Sequence, residues 1–405
     1  MKPVKLPAAA LMAGAAAGVL QLAGGLKTAP GMAPMPVDLT LLALGLLLPP
    51  LLLLAATRHW RLDPLLALPL AGALLLPFWL VVAAAWSPSR IVAPAKLADV
   101  VLVAPLMLAA GMLIGAEPAA RRALAGASLL AGLVLAAGFV LAARSGALVQ
   151  DALAAEAQRA NYQIAGLAMA IAAGLAAVRA AEARGRLRAT AWILAVAGLA
   201  AAAMLPGGRA ALVSLGLGAA MAPALLFWLD GQRARAIGWL GAVALAGIGG
   251  LALLMLDPDR AEGLRTLERL TADAAGLEAR VSLWSAALDW TAEALPFGLG
   301  TGGFTIAAGH GERRGLYPHN HALEALAEAG LPGLLLWLLA FGGGMVAAIR
   351  LLGRDAPGRA ARIAAMVLPV ALSVLVSSDL GNRMAWFALG LALSLGVTAR
   401  LPRDV

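Results

Sequence analysis

Residues 317–338 read YPHNHALEALAEAGLPGLLLWL: two histidines, an asparagine and two glutamates stand immediately before an apolar run. The whole chain contains only four histidines. From Leu331 the sequence stays apolar to about residue 349, close to the roughly 20 residues that a helix needs to cross the hydrocarbon core of a bilayer. A polar head on a membrane-length helix is the first structural unit this stretch suggests.

Runs of the same length recur along the chain. Candidate spans lie near 8–26, 38–57, 65–86, 97–116, 123–143, 161–178, 189–205, 209–229, 237–256, 331–349, 363–379 and 384–399. Composition agrees: 62% of residues are hydrophobic and 13% charged, against about 45–50% and about 25% in soluble domains. Mean hydropathy is +0.87. A soluble fold of 405 residues has nowhere to hide that much apolar surface. The expected fold is therefore all-α and polytopic, with about twelve transmembrane helices. The first run is too long and too poorly terminated for a cleaved signal peptide and counts as a span.

Cysteine is absent, which excludes disulfides and thiolate metal sites. The net charge of +9 does not point to nucleic acid, because the basic residues sit between apolar runs and do not interleave with aromatic ones. They read instead as orientation signals. Eighteen lysines and arginines fall in one set of alternate segments, and the opposite short loops hold seven. Cytoplasmic loops carry the excess of Lys and Arg, so both termini are expected in the cytoplasm. On the outer side one segment is long: residues 257–320 are expected to form a large outer loop, mostly helical, with a glycine-rich turn "PFGLGTGGF" at 296–304. The chain divides into N-terminal transmembrane helices, 1–188, and a second unit, 189–405, that includes this loop.

The outer side collects the polar features. Arg209 follows "PGG" at the head of a span, Arg280 opens "RVSLW", His319 and Asn320 precede a helix, Asp379 ends one, and Arg383 lies in the turn "SSDLGNRMAW". Arginine presents a planar, permanently charged fork that grips phosphate oxygens in pairs. Histidine is the usual general base for a hydroxyl near neutral pH. Together they suggest transfer from a pyrophosphate-linked donor to an alcohol. Simpler readings stand beside this one. Arg209 and Arg383 suit snorkelling to lipid headgroups, Arg280 the solvation of an amphipathic helix, and His319 the capping of the helix that follows. His321 lies one turn from Glu324 and suits a structural pair. Glu324 and Glu328 read as dipole partners of a first turn and as solvated face.

Two other patterns carry less. Asp257 and Asp259 have the spacing of a metal-diphosphate pair, but Asp257 with Pro258 also makes a good helix start. "GLGTGG" at 298–303 is similar to a nucleotide loop but lacks a preceding strand and faces a compartment without ATP, so it reads as a backbone turn. No metal site and no cofactor are expected.

The segment His319-Asn320, nine residues, Gly330, two residues, Gly333 resembles the signature of the O-antigen ligase and polymerase superfamily of membrane glycosyltransferases. "PGGRAALVSLGLG" at 206–218, "RVSLWSAALDW" leading to "PFGLGTGGF", and "SSDLGNRMAW" look like the same domain, over about residues 190–400. The resemblance implies a multi-pass protein of the bacterial inner membrane with a periplasmic active site. It implies an undecaprenyl-pyrophosphate-linked glycan as donor and an inverting, metal-independent transfer. Carried over by motif, His319 is the base and Arg209 and Arg280 hold pyrophosphate. Arg383 resembles a further basic position, and Asn320, His321 and Asp379 lie behind them. Within the superfamily the sequence is most like an O-antigen ligase, whose acceptor is lipid A-core in lipopolysaccharide assembly. A polysaccharide polymerase and a protein O-oligosaccharyltransferase are the alternatives; the arginine-x10-glycine pattern of polymerases is matched once, Arg265 to Gly276, which chance easily supplies. Outside the class stands a twelve-helix transporter. That reading needs ionisable residues near the bilayer midplane, and the candidate spans are almost free of charge.

Overall fold

The computed structural model describes residues 6–29, 37–146, 161–256, 264–267 and 275–400. Asp257, Asp259 and most of the Arg265–Gly276 stretch lie outside the described residues, as do Lys2, Lys5, Arg159 and Arg403 among the charges that set direction. The described chain is all-α apart from one two-stranded ribbon. In order the elements are α1 (Leu6–Lys27), α2 (Leu39–Thr57), β1 (His59–Leu62), α3 (Ala67–Ala83), α4 (Val92–Ala98) and α5 (Ala104–Ala116). Then come α6 (Pro118–Arg144), α7 (Asn161–Glu182), α8 (Arg186–Ala202), α9 (Arg209–Leu229), α10 (Arg233–Met255) and α11 (Ala275–Glu293). The chain closes with α12 (Phe304–Ala307), α13 (His321–Trp337), α14 (Gly343–Leu351), α15 (Pro357–Val376), α16 (Arg383–Leu393) and β2 (Val397–Arg400). A π-helical turn, Asp99–Val103, joins α4 to α5.

Among the described residues, ten helical stretches are long and apolar enough to cross a membrane. This is a polytopic membrane protein. The spans expected at 189–205 and 384–399 are the shorter helices α8 and α16, the second running on into β2. Two further spans begin earlier than the sequence suggests, at Val92 and at His321. Lys96, counted as a loop charge, and Glu324 and Glu328 consequently lie inside the membrane-length stretches. The expectation that the spans are almost free of charge fails at these three positions, which lie in the first two turns of their spans.

Small residues set the packing. Apolar burial supplies little drive between helices already in lipid, so close backbone approach through Gly and Ala takes over. A Cβ added at Gly14 of α1 would come within 1.9 Å of the Ala120 carbonyl oxygen on α6, and one at Gly166 of α7 within 2.4 Å of the Ala211 methyl on α9. Gly111 of α5 meets the Phe387 backbone of α16 in the same way. The two halves of the sequence interlock: α3 packs on α13 and α5 on α16.

Ionic contacts gather at the two ends of the bundle. At one end β1 pairs antiparallel with β2, His59 opposite Arg400 and Leu62 opposite Val397. Arg58–Glu117 (3.2 Å), Arg354–Asp63 (2.9 Å) and Arg362–Glu182 (2.6 Å) close the same end. These are segments whose charges were assigned to one side. The opposite end carries the Lys27–Asp38 pair, the 87–99 segment, α11 and the polar stretch before α13.

Candidate active site

Asn320 caps α13: its side chain accepts a hydrogen bond from the Leu323 amide at 3.1 Å. That cap leaves His319 just outside the helix with φ 54°, a left-handed conformation uncommon for a non-glycine residue. Two contacts hold it there. The Trp284 indole of α11 donates to the Pro318 carbonyl at 2.8 Å, and the Tyr317 ring lies 4.1 Å from the imidazole, centroid to centroid. His319 Nδ1 is buried with no hydrogen-bond partner. Burial, and next the nearby Arg280 charge, push the imidazole down to about 4, with Asp379 pulling weakly the other way. At neutral pH this histidine is uncharged.

Arg280 stands one turn before Trp284, and residues four apart share a helix face. The indole that pins α11 to Pro318 therefore brings the guanidinium to the His319 side, where its charge is felt by both His319 and Tyr317. Asp379 closes the group from the α15–α16 turn. It accepts from Arg314 Nη2 at 3.4 Å, and the same nitrogen donates to Asp99. Gly381 makes room for this bridge, since a Cβ there would come 2.9 Å from the Asp99 Cβ and 3.2 Å from the Arg314 guanidinium.

The remaining expected residues sit around this group. His321 is wholly buried, its Nε2 3.0 Å from the Ser378 hydroxyl. The expected pair with Glu324 does not form, because Glu324 binds Lys96 Nζ at 2.5 Å. Glu328 binds the same ammonium at 2.7 Å. Both carboxylates are fully buried, which corrects their reading as solvated face. Arg209 begins α9 behind Gly207, whose φ is 94° and whose amide donates to the Thr266 hydroxyl at 3.0 Å. Gly208 faces Tyr162 of α7, and the next residue, Gln163, accepts from the Ser377 hydroxyl at 2.9 Å. The head of α9 thus packs on α7, whose Gln163 bonds the residue before Ser378. Arg383 opens α16 behind its cap Asn382, and its Nε is buried without a hydrogen-bond partner. Its charge faces Asp38 and Asp99.

The signature glycines do structural work. Gly330 (φ 66°, ψ −159°) interrupts α13, so the Leu331 amide donates to the Pro296 carbonyl and the Ala327 carbonyl accepts from the Leu299 amide, both at 2.9 Å. A Cβ at Gly330 would stand 2.1 Å from the Pro296 oxygen. The glycine-rich segment is a backbone turn seated on α13 and α3, with the Thr301 hydroxyl donating to the Leu80 carbonyl at 2.6 Å.

Sequence reasoning missed Lys96, Asp99, Arg314 and Tyr317 as neighbours of this site. Lys96 and Asp99 did leave a signal: opposite charges three apart at the head of an apolar span, where each is costly unless paired or functional. Arg314 left none.

Residues 193–338 match the family model described as O-Antigen ligase. That stretch is similar to an O-antigen ligase domain. The match takes in Arg209, Arg280, His319, Asn320 and His321 and ends before Asp379 and Arg383. No curated protein matches the chain. The match covers about a third of the chain and is a likeness to O-antigen ligases over that stretch. The transporter reading has no such support.

Proposed function

We propose that this O-antigen ligase-domain protein moves a glycan from undecaprenyl pyrophosphate to a periplasm-facing hydroxyl, with lipid A-core as acceptor, by an inverting and metal-independent transfer in the bacterial inner membrane. The observation that carries the reading is the pairing of an uncharged His319 with the Arg280 cation inside the O-antigen ligase domain. An imidazole kept neutral has a free lone pair for a proton. A guanidinium beside it offers paired donors to a phosphate.

The chemistry follows. The acceptor oxygen attacks the anomeric carbon as the bond from that carbon to the pyrophosphate oxygen breaks. The hydroxyl proton passes to His319, and the electron pair leaves on the lipid pyrophosphate. Negative charge grows on the leaving group, and preorganised Arg280 and Arg209 stabilise it, with Arg383 as a further contact. The donor itself readies the base: its anionic phosphates offset the Arg280 charge that depresses His319, so the imidazole becomes more basic when the donor is bound. Asp379, through Arg314, and the Asn320 cap fix the flanking backbone. We assign this work to residues 189–405, with 257–320 facing the periplasm.

Purified protein incubated with lipid-linked donor and lipid A-core tests the reading. Formation of the glycosylated acceptor supports it. Release of longer lipid-linked polymer, with no product on lipid A-core, would assign a polymerase instead.

A further inference from the structure

Three buried ionisable side chains have no part in the transfer just described. Lys96 is 2% exposed, and Glu324 and Glu328 are wholly buried. Their hydrogen bonds run in four directions. Lys96 Nζ donates to both carboxylates. Glu324 also accepts from the Leu380 amide, and Glu328 from the Gly302 amide, each at 2.8 Å. One ammonium therefore ties α4 to the first two turns of α13, to the glycine-rich turn, and to the turn bearing Asp379. Three residues on, Asp99 holds Arg314, which bonds Asp379 itself. The pair occupies one side of α4 where it passes into a π-helical turn, a distortion frequent at functional sites.

We propose that Lys96, an N-terminal-half residue outside the O-antigen ligase match, is a positioning residue for the transfer site: it sets the register of α13 and of the 378–382 turn so that His319 and Asp379 face one another. The inference rests on the transfer reading above. Burial alone does not explain the arrangement, because an apolar residue would fill the space at lower desolvation cost. What an ammonium adds is direction: it fixes two carboxylates on successive turns, and each carboxylate then fixes a backbone amide of a separate segment.

The variant Lys96→Met/Glu324→Gln/Glu328→Gln removes the ammonium, leaves no buried charge, and keeps an amide oxygen for Leu380 and for Gly302. Transfer by the purified variant is measured at saturating lipid-linked donor, with donor KM and thermal unfolding alongside. The expected result is a folded protein whose kcat falls about 10- to 100-fold while the donor KM stays within about threefold. Wild-type kcat in the folded variant overturns the inference. Should the triple variant not accumulate, Glu324→Gln decides: it keeps Lys96 paired with Glu328 and the Leu380 bond, so a several-fold fall in kcat supports positioning and an unchanged kcat refutes it. His319→Ala serves as the control for the reading beneath. An active Lys96 variant beside an inactive His319→Ala refutes only the inference; equal activity in all refutes the transfer site as well.

Discussion

Burial sorts the two histidines that open α13. His321 is closed in against Ser378, whereas His319 keeps a partly open imidazole beside Arg280. Removing a general base costs about 10²–10⁴-fold in rate, so His319→Ala is expected to lose transfer and His321→Ala to lose less, through packing. Equal losses in a direct in vitro comparison would argue against the assignment. The pH dependence follows from the same environment. His319 is held near 4 in the folded protein, below its ordinary 6.5. The neutral form therefore persists as pH falls from 6.5 toward 4, and the acid limb of kcat/KM, which reports the free enzyme, should lie near that lower value. A pKa depressed by folding also makes stability fall over that window, because the unfolded chain takes up the proton first. Replacing Arg280 with Gln should raise the His319 titration in an NMR experiment, since a cation no longer opposes protonation. Arg280→Lys should lose most transfer while the fold survives, because a point charge does not reproduce the planar fork.

At the scale of elements, the interruption of α13 at Gly330 joins the membrane helix to the outer turn. Gly330→Ala puts a methyl into the Pro296 carbonyl on a positive-φ backbone. The strain alone is about 1–3 kcal/mol, and the clash adds to it, so thermal unfolding should shift down sharply; an unchanged melting temperature would mean that the turn is not seated there. Trp284→Phe removes the bond to Pro318 and should cost about 0.5–1.5 kcal/mol, with a larger fall in turnover than in donor affinity. Much of this level was legible in the sequence. Apolar runs located most of the helices, but the cap expected at His319 is made by Asn320, and the break at Gly330 was not foreseen. Two span starts were not legible, because Lys96 looked like a loop charge and Glu324 and Glu328 like a solvated helix face. Lys96 and Glu328 are 232 positions apart, and no local pattern reports that they neutralise one another inside the bundle. The His321–Glu324 pairing failed for the same reason: a spacing of three allows a contact, and a distant ammonium takes it.

For the whole molecule, the expected topology rests on the alternation of basic loops. A single cysteine placed at Asp289 should react with an impermeant maleimide in intact spheroplasts, and one placed at Arg184 should not; the opposite pattern would invert the orientation. Interlocking of α3 with α13 and of α5 with α16 means that residues 189–405 rely on the first half for their shape. Transfer is expected to proceed in EDTA; loss on chelation with rescue by Mg²⁺ would return attention to Asp257 and Asp259. The most direct test of the account is turnover of undecaprenyl-pyrophosphate-linked glycan by purified His319→Ala, at saturating donor and acceptor in EDTA, set against the parent protein. The account expects a fall of about 10²-fold or more with donor still bound. Turnover within a few-fold of the parent protein would contradict it.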